Sequence, residues 1–247
     1  MTMILRSAIL NDVGLVRTNN EDSALAGDRL VAVADGMGGL PAGEVASEIV
    51  IRILDELDPP VVPDEAAEAL RAVVSTANQR IRAAISADPA RDGMGTTLTA
   101  GLLAGDTLVL AQVGDSRCYL LRDGELTQLT RDDTFVQALV DQGALSPDQA
   151  RHHPQRSLVT RAVQGADAPP AVGVLTVFAG DRLLLCSDGL SDYVTDQDIH
   201  AALTTYHDRQ QCGEQLVKLA HQSGAPDNVT VVVSDVVGGA VPAGAEG

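Results

Sequence analysis

Six acidic side chains stand where apolar runs of this chain begin or end. Glu21 and Asp22 open "DSALA", Asp35 closes "LVAVAD", Asp188 follows "RLLLCS", Asp227 precedes "NVTVVV", and Asp115 comes just after "LVLAQVG". Placed together they would repel, since two unit charges about 4 Å apart cost about 4 kcal/mol at an effective dielectric near 20. A divalent cation removes that cost. Hard carboxylate oxygens without His or Cys partners select Mg2+ or Mn2+. The glycines of "DGMGG" (Gly36, Gly38 and Gly39) let backbone approach an ion closely enough for a carbonyl to bind it. Any one of these aspartates alone reads equally well as a turn residue, because Asp-Gly is a common turn pair. Their repetition at strand ends is what points to a metal centre.

The elements that must position them can be read from the pattern. "NNEDSALAGDRLVAVADG" reads as a hairpin with strands 22–26 and 29–34 joined at Gly27-Asp28. Such a hairpin carries Glu21, Asp22 and Asp35 to one open end. If the strands beside Asp188 and Asp227 are antiparallel neighbours, those two carboxylates share an end as well. Two amphipathic helices follow the hairpin. Val45, Ile49, Ile53 and Leu57 recur at four-residue steps, and Leu70, Val74, Ala77, Ile81 and Ile85 recur similarly. Asp64, after Pro63, is the expected N-cap of the second helix. "TLTAGLLAGDTLVLAQVGDSRCYLLRDGELTQLT" reads as an antiparallel meander punctuated by Gly-Asp and Asp-Gly turns. Residues 132–164 interrupt it with a polar helix and a second short helix begun by Ser146-Pro147, an inserted flap. Strands return at "AVGVLTVFAGDRLLLCSDG" and "DNVTVVVSDVV", with helices over 195–222 between them. Residues 1–237 are expected to form one domain and residues 238–247 a disordered tail.

Composition narrows the function. A formal charge of -17, from 17 Lys and Arg against 34 Asp and Glu, argues against a nucleic-acid partner. The apolar runs are too short to cross a bilayer, and Arg6 interrupts the only N-terminal stretch resembling an export signal. Neither membrane nor export is expected. Cys118, Cys186 and Cys212 show no CxxC spacing and read as core residues, and the five histidines show no HExxH pattern. Any metal here is oxygen-bound.

"RTNNED", "DGMGG", "GMGTT", "VGDSR", "CSDGL" and "PDNVT" occur in the order seen in metal-dependent protein phosphatases of the PP2C type, which the chain resembles over residues 6–236. The resemblance implies an α+β fold, a central antiparallel β-sandwich flanked by helices on both faces. It implies hydrolysis of phosphoserine and phosphothreonine in proteins by a water nucleophile bridging two Mg2+ or Mn2+ ions. By the same resemblance Asp35 bridges both metals, Gly36 lends its carbonyl, and Asp188 and Asp227 ligate one ion. Glu21 and Asp22 hold the water shell on the other side. Asp115, with Asp188, binds a third ion in bacterial members. Arg17 receives the phosphate, a role that suits a planar bidentate guanidinium. Arg17, Asp35 and Asp22 are thus the expected catalytic residues.

Met37 departs from the "DGHGG" of the eukaryotic members, whose histidine is a proposed proton donor, and a thioether cannot replace it. Ser187 and Ser191, near Asp188, read as packing or turn residues rather than nucleophiles. The expected partners are phosphorylated proteins, including a Ser/Thr protein kinase, and the expected form is a stand-alone cytoplasmic monomer. Two other readings keep the fold: a noncatalytic signalling adaptor, and a phosphatase of a small phosphorylated metabolite.

Overall fold

The computed structural model describes residues 3–39, 42–59 and 62–239. One antiparallel sheet contains β2 (Asp22–Ala26), β3 (Leu30–Met37), β5 (Leu98–Ala104), β6 (Thr107–Val113) and β9 (Ala171–Thr176), in that order across the sheet, with β4 (Gly95–Thr96) extending the pairing of β3. The other contains β1 (Met3–Asp12), β7 (Arg117–Arg122), β8 (Glu125–Gln128), β10 (Arg182–Cys186) and β11 (Val229–Gly238), in the order β1-β11-β10-β7-β8. Leu5, Val31, Val33, Leu108, Cys118, Leu183, Leu185 and Val232 fill the space between the sheets. Alternate strand residues turn the other way and meet helices.

Helices α1 (Ala42–Asp55) and α2 (Pro63–Ala87) cover the first sheet, and α5 (Asp188–Ser191), α6 (Asp196–Thr205) and α7 (Arg209–Gln222) cover the second. The layering is α-β-β-α, the expected fold class. Two short helices, α3 (Phe135–Asp141) and α4 (Pro147–Arg151), occupy residues 132–164. Thr134 caps α3, and Ser146 caps α4 in a reciprocal box with Gln149.

Several elements differ from the sequence reading. The expected meander is two hairpins: β5–β6 lies in one sheet and β7–β8 in the other, so Gly114-Asp115-Ser116 is a crossing between sheets. β3 does not stop at Ala34. Its pairing with β4 and the hydrogen bonds of Asp35 to Thr97 carry it on to Met37. On α1 the buried stripe is Ala46, Val50 and Leu54, one residue on from the expected one, while Val45, Ile49, Ile53 and Leu57 pack half-buried at its flank. Ala42, Gly43, Ala46 and Ser47 bring this helix close to β3, and the larger side chains cover the margins of the contact. Asp64 lies inside the first turn of α2; Val62 occupies the cap position, because Pro63 takes N1. Gly238 ends β11 opposite Met3 rather than opening a tail, and residues 240–247 lie outside the described residues. All three cysteines are buried and free, as expected.

Candidate active site

Asp22 and Asp35 are cross-strand partners in the β2–β3 register, so both side chains leave the same face of the sheet. The Asp35 backbone is pinned from two sides. Its carbonyl accepts from the Thr97 N–H (2.8 Å) and the Thr96 hydroxyl (2.9 Å), and its N–H donates to Thr97 Oγ1 (3.0 Å). Asp22 accepts from the buried Ser187 hydroxyl (2.8 Å), which in turn accepts from the Thr230 N–H (3.0 Å). One hydroxyl therefore ties β2 of the first sheet to β11 of the second.

Asp188 opens α5 just after β10, and Asp227 stands just before β11. β10 and β11 are antiparallel neighbours with Cys186 opposite Val231, which brings these two carboxylates to one end as the sequence reading required. Asp115 joins them from the crossing between sheets. Arg17 donates from Nη2 to Asp227 Oδ2 (2.8 Å), and its pKa is raised, first by that bond and further by the charges of Glu21 and Asp35. Seven of the expected residues thus meet: Arg17, Glu21, Asp22, Asp35, Asp115, Asp188 and Asp227.

Electrostatics records how tightly the carboxylates crowd. Burial, then the charges of Asp22, Asp188, Asp115 and Asp227, hold Asp35 well above the usual carboxylate range. Asp188 is raised by burial and then by Asp115, Asp192, Asp227 and Asp22. Burial and the charge of Asp227 push Asp22 up to about 6, against hydrogen bonding that favours its charged form. Burial with Asp132 and Asp192 pushes Asp115 up to about 7. Asp35 and Asp188 nonetheless keep a partly accessible edge, where an ion can enter.

This donor set fits hard divalent cations: it is all oxygen, mutually repulsive and open to solvent only along one edge. Among the described residues, no three His, Cys, Asp or Glu side chains are already drawn together closely enough to hold a metal ion by themselves. Ions of the Mg2+ kind do not require one, since they retain several waters and take one or two carboxylates each. Gly36 also has a packing reason. A Cβ there would sit 2.3 Å from the Gly43 carbonyl oxygen of α1 and 2.5 Å from that of Glu21, so the glycine lets chain approach chain. The open backbone of the turn falls at Gly38 and Gly39, with φ of +116° and +75°.

The chain matches protein phosphatase 2C over residues 17–222. It belongs to the protein phosphatase 2C family. The serine/threonine protein phosphatase PstP of Mycobacterium tuberculosis is 53% identical over 237 residues, which cover 96% of this chain and 46% of PstP. The chain therefore spans about half the length of that relative. Protein phosphatase PhpP of Streptococcus pneumoniae is 35% identical over 238 residues, covering 92% of this chain and 95% of PhpP. Among solved structures, the serine/threonine phosphatase PstP/Ppp of Mycobacterium tuberculosis superposes with a TM-score of 0.92 at 52% identity, over 95% of this chain and 100% of that one. The PstP catalytic domain in complex with two manganese ions gives a TM-score of 0.89 at 51% identity, over 96% of this chain and 100% of that one.

Within this PP2C fold, several residues support the site in ways the sequence did not assign, although Asn228, Ser187 and Arg117 stand inside the motifs "PDNVT", "CSDGL" and "VGDSR". Asn228 donates from Nδ2 to the carbonyls of Val13 (3.0 Å) and Asn19 (2.9 Å) and accepts from the Glu21 N–H (2.9 Å), clamping the loop that carries Arg17. Ser187, expected only to pack or turn, positions Asp22. Asp192, one helical turn beyond Asp188, is held by Arg156 (3.2 Å) and the Ser157 hydroxyl (3.3 Å) of the 132–164 segment. Arg117 grips Asp132 at the flap base with bonds of 2.7 to 3.0 Å. Between these pairs opens a cavity of about 490 Å3, reached by Asp115, Asp192 and both flap helices. Met37 lies beside Gly95 at the end of β3, half-buried.

Proposed function

We propose that this chain is a metal-dependent phosphatase of phosphoserine and phosphothreonine in proteins. The observation that carries the reading is the convergence of Asp22, Asp35, Asp115, Asp188 and Asp227, from five separate segments, on one partly open point beside Arg17. The names of the relatives and the two manganese ions of PstP support it. In this reading Asp35, the Gly36 carbonyl, Asp188 and Asp227 would hold two Mn2+ or Mg2+ ions, and Glu21 and Asp22 would hold their water shell. Asp115, with Asp188, serves a third ion. When bound, the ions supply Lewis acidity that activates water and offsets phosphate charge.

The protein's own groups do the rest. Arg17 exchanges its contact with Asp227 for two oxygens of the phosphoryl group and orients it. Ser187, through Asp22, and Thr97, through the Asp35 backbone, fix the two facing carboxylates before substrate arrives. No side-chain proton donor stands at Met37.

The unit is one catalytic domain with residues 132–164 as its flap. No helix among the described residues is long and apolar enough to cross a membrane. The same reading places the chain in the cytoplasm as a monomer acting on phosphoproteins, a Ser/Thr kinase among them; three free buried cysteines agree with a reducing compartment. Phosphate release from phosphothreonine peptides and from phosphorylated metabolites, with Mn2+ and after chelation, tests this. Ion-dependent release from the peptides is expected. Release from metabolites alone, or none at all, overturns it.

A further inference from the structure

Beside the carboxylate cluster, the loop before Arg17 holds three apolar side chains in the open: Val13 is 37% exposed, Leu15 59% and Val16 67%. The hydrophobic effect favours tucking such groups away, yet this loop has no freedom to do so. Gly14, at a φ of +76°, passes so close to the far side of the site that a Cβ would lie 2.0 Å from the Asp227 carbonyl oxygen. The Leu15 N–H donates to the Ala225 carbonyl (2.9 Å), and Asn228 holds the carbonyls of Val13 and Asn19. With the backbone fastened before, within and after the pair, Leu15 and Val16 are held outward as a stiff apolar ledge. The next residue is Arg17, whose guanidinium reaches Asp227.

We propose that Leu15 and Val16 receive a bulky apolar side chain that neighbours the phosphorylated residue of a protein substrate, so that the enzyme prefers apolar-flanked phosphosites. The proposal rests on the phosphatase reading and names a feature of its substrates. Three arguments select this occupant. The ledge is continuous with the group that would receive the phosphate, so a polypeptide bound there must pass it. Its few side chains suit one incoming residue and fall far short of the roughly 1,200 Å2 that a stable protein interface buries. A second copy of the chain or an anionic lipid surface would meet a molecule of formal charge -17.

The test compares kcat/KM, with Mn2+ present, for two phosphothreonine peptides that differ only in having Leu or Gly on either side of the phosphorylated residue. The protein is expected to favour the Leu peptide by about tenfold, the scale set by filling one apolar contact. Leu15→Ser with Val16→Ser should bring the ratio of the two peptides close to one. Leu15→Ala alone should give an intermediate ratio and keeps the test open if the double variant does not fold. Val174, 60% exposed on the edge strand β9 at the opposite border of the first sheet from β2, is the control, and Val174→Ser should retain the full preference. A ratio near one in the unaltered protein, a ratio unmoved by the ledge variants, or an equal loss in Val174→Ser overturns the proposal. If neither peptide is hydrolysed, the phosphatase reading itself falls, so the two failures are distinct.

Discussion

Asp22 of β2 stands directly opposite Asp35 of β3, two carboxylates at one cross-strand position. Like charges so placed weaken a sheet, and each of these is held above its ordinary pKa. The fold therefore gives up stability at this point. Asp35→Asn should raise the melting temperature of the chelated protein by about 2–4 °C, the shift that about 1 kcal/mol produces in a domain of this size. The same change should lower turnover by at least about a hundredfold and blunt the rise in melting temperature on adding Mn2+. Melting curves with and without the ion check both. A chelated variant that melts lower than the parent would count against a repulsive pair.

The pH dependence of the metal-free protein has a definite sign. Asp22 titrates at about 6 and Asp115 at about 7, both above the 3.8 of an unperturbed aspartate. Between those values the folded state binds more protons than the unfolded one, so stability falls as pH rises. Chelated protein should be more stable at pH 5 than at pH 7.5, and Mn2+ should stabilise it more at the higher pH. Denaturant titrations at the two pH values give the comparison, and a chelated protein that gains stability between them would exclude the ordering.

Arg17 is half exposed and bonded to Asp227, a surface contact of small worth to the fold. Arg17→Ala should leave the melting temperature within about 1 °C. It should raise KM for a phosphopeptide by about tenfold or more with a lesser effect on kcat, as expected for a group that binds ground state and transition state alike. An unchanged KM removes Arg17 from the phosphate site.

Gly36 has no open space for a side chain, since its Cβ would fall within 2.5 Å of two backbone carbonyl oxygens. Gly36→Ala must therefore push α1 away from β3 or shift Glu21, at a cost above about 3 kcal/mol. Gly27→Ala, whose Cβ would lie an ordinary 3.5 Å from the Leu30 carbonyl oxygen, is the matched control and should cost little. Chemical denaturation of the two variants reads the difference directly.

Much of the site was legible because it depends on strand ends. The side-chain period of a strand is fixed, so "DSALAGDRLVAVAD" places Asp22 and Asp35 at one end of a hairpin without knowledge of anything else. What escaped depends on contacts between distant segments. Gly114-Asp115 looks like any hairpin turn, and only the packing of two sheets makes it a crossing. Asn228 and Ser187 stand inside sequence motifs, yet their supporting roles depend on partners 43 to 215 residues away. The stripe of α1 was misplaced by one residue because large apolar side chains dominate a periodicity reading, whereas close approach to β3 selects small ones.

β11 is the last strand among the described residues, yet it lies inside its sheet between β1 and β10 and brings Asp227 and Asn228 with it. During translation, a chain that has already left the ribosome with Arg17 and four of the aspartates has no strand for β1 to pair with and no clamp on the Arg17 loop. Such a nascent chain lacks both Asp227 and the Asn228 clamp, and the two arrive together only when residues 227–238 emerge. The position of this closing strand fixes when, in the order of synthesis, the carboxylate cluster can be completed.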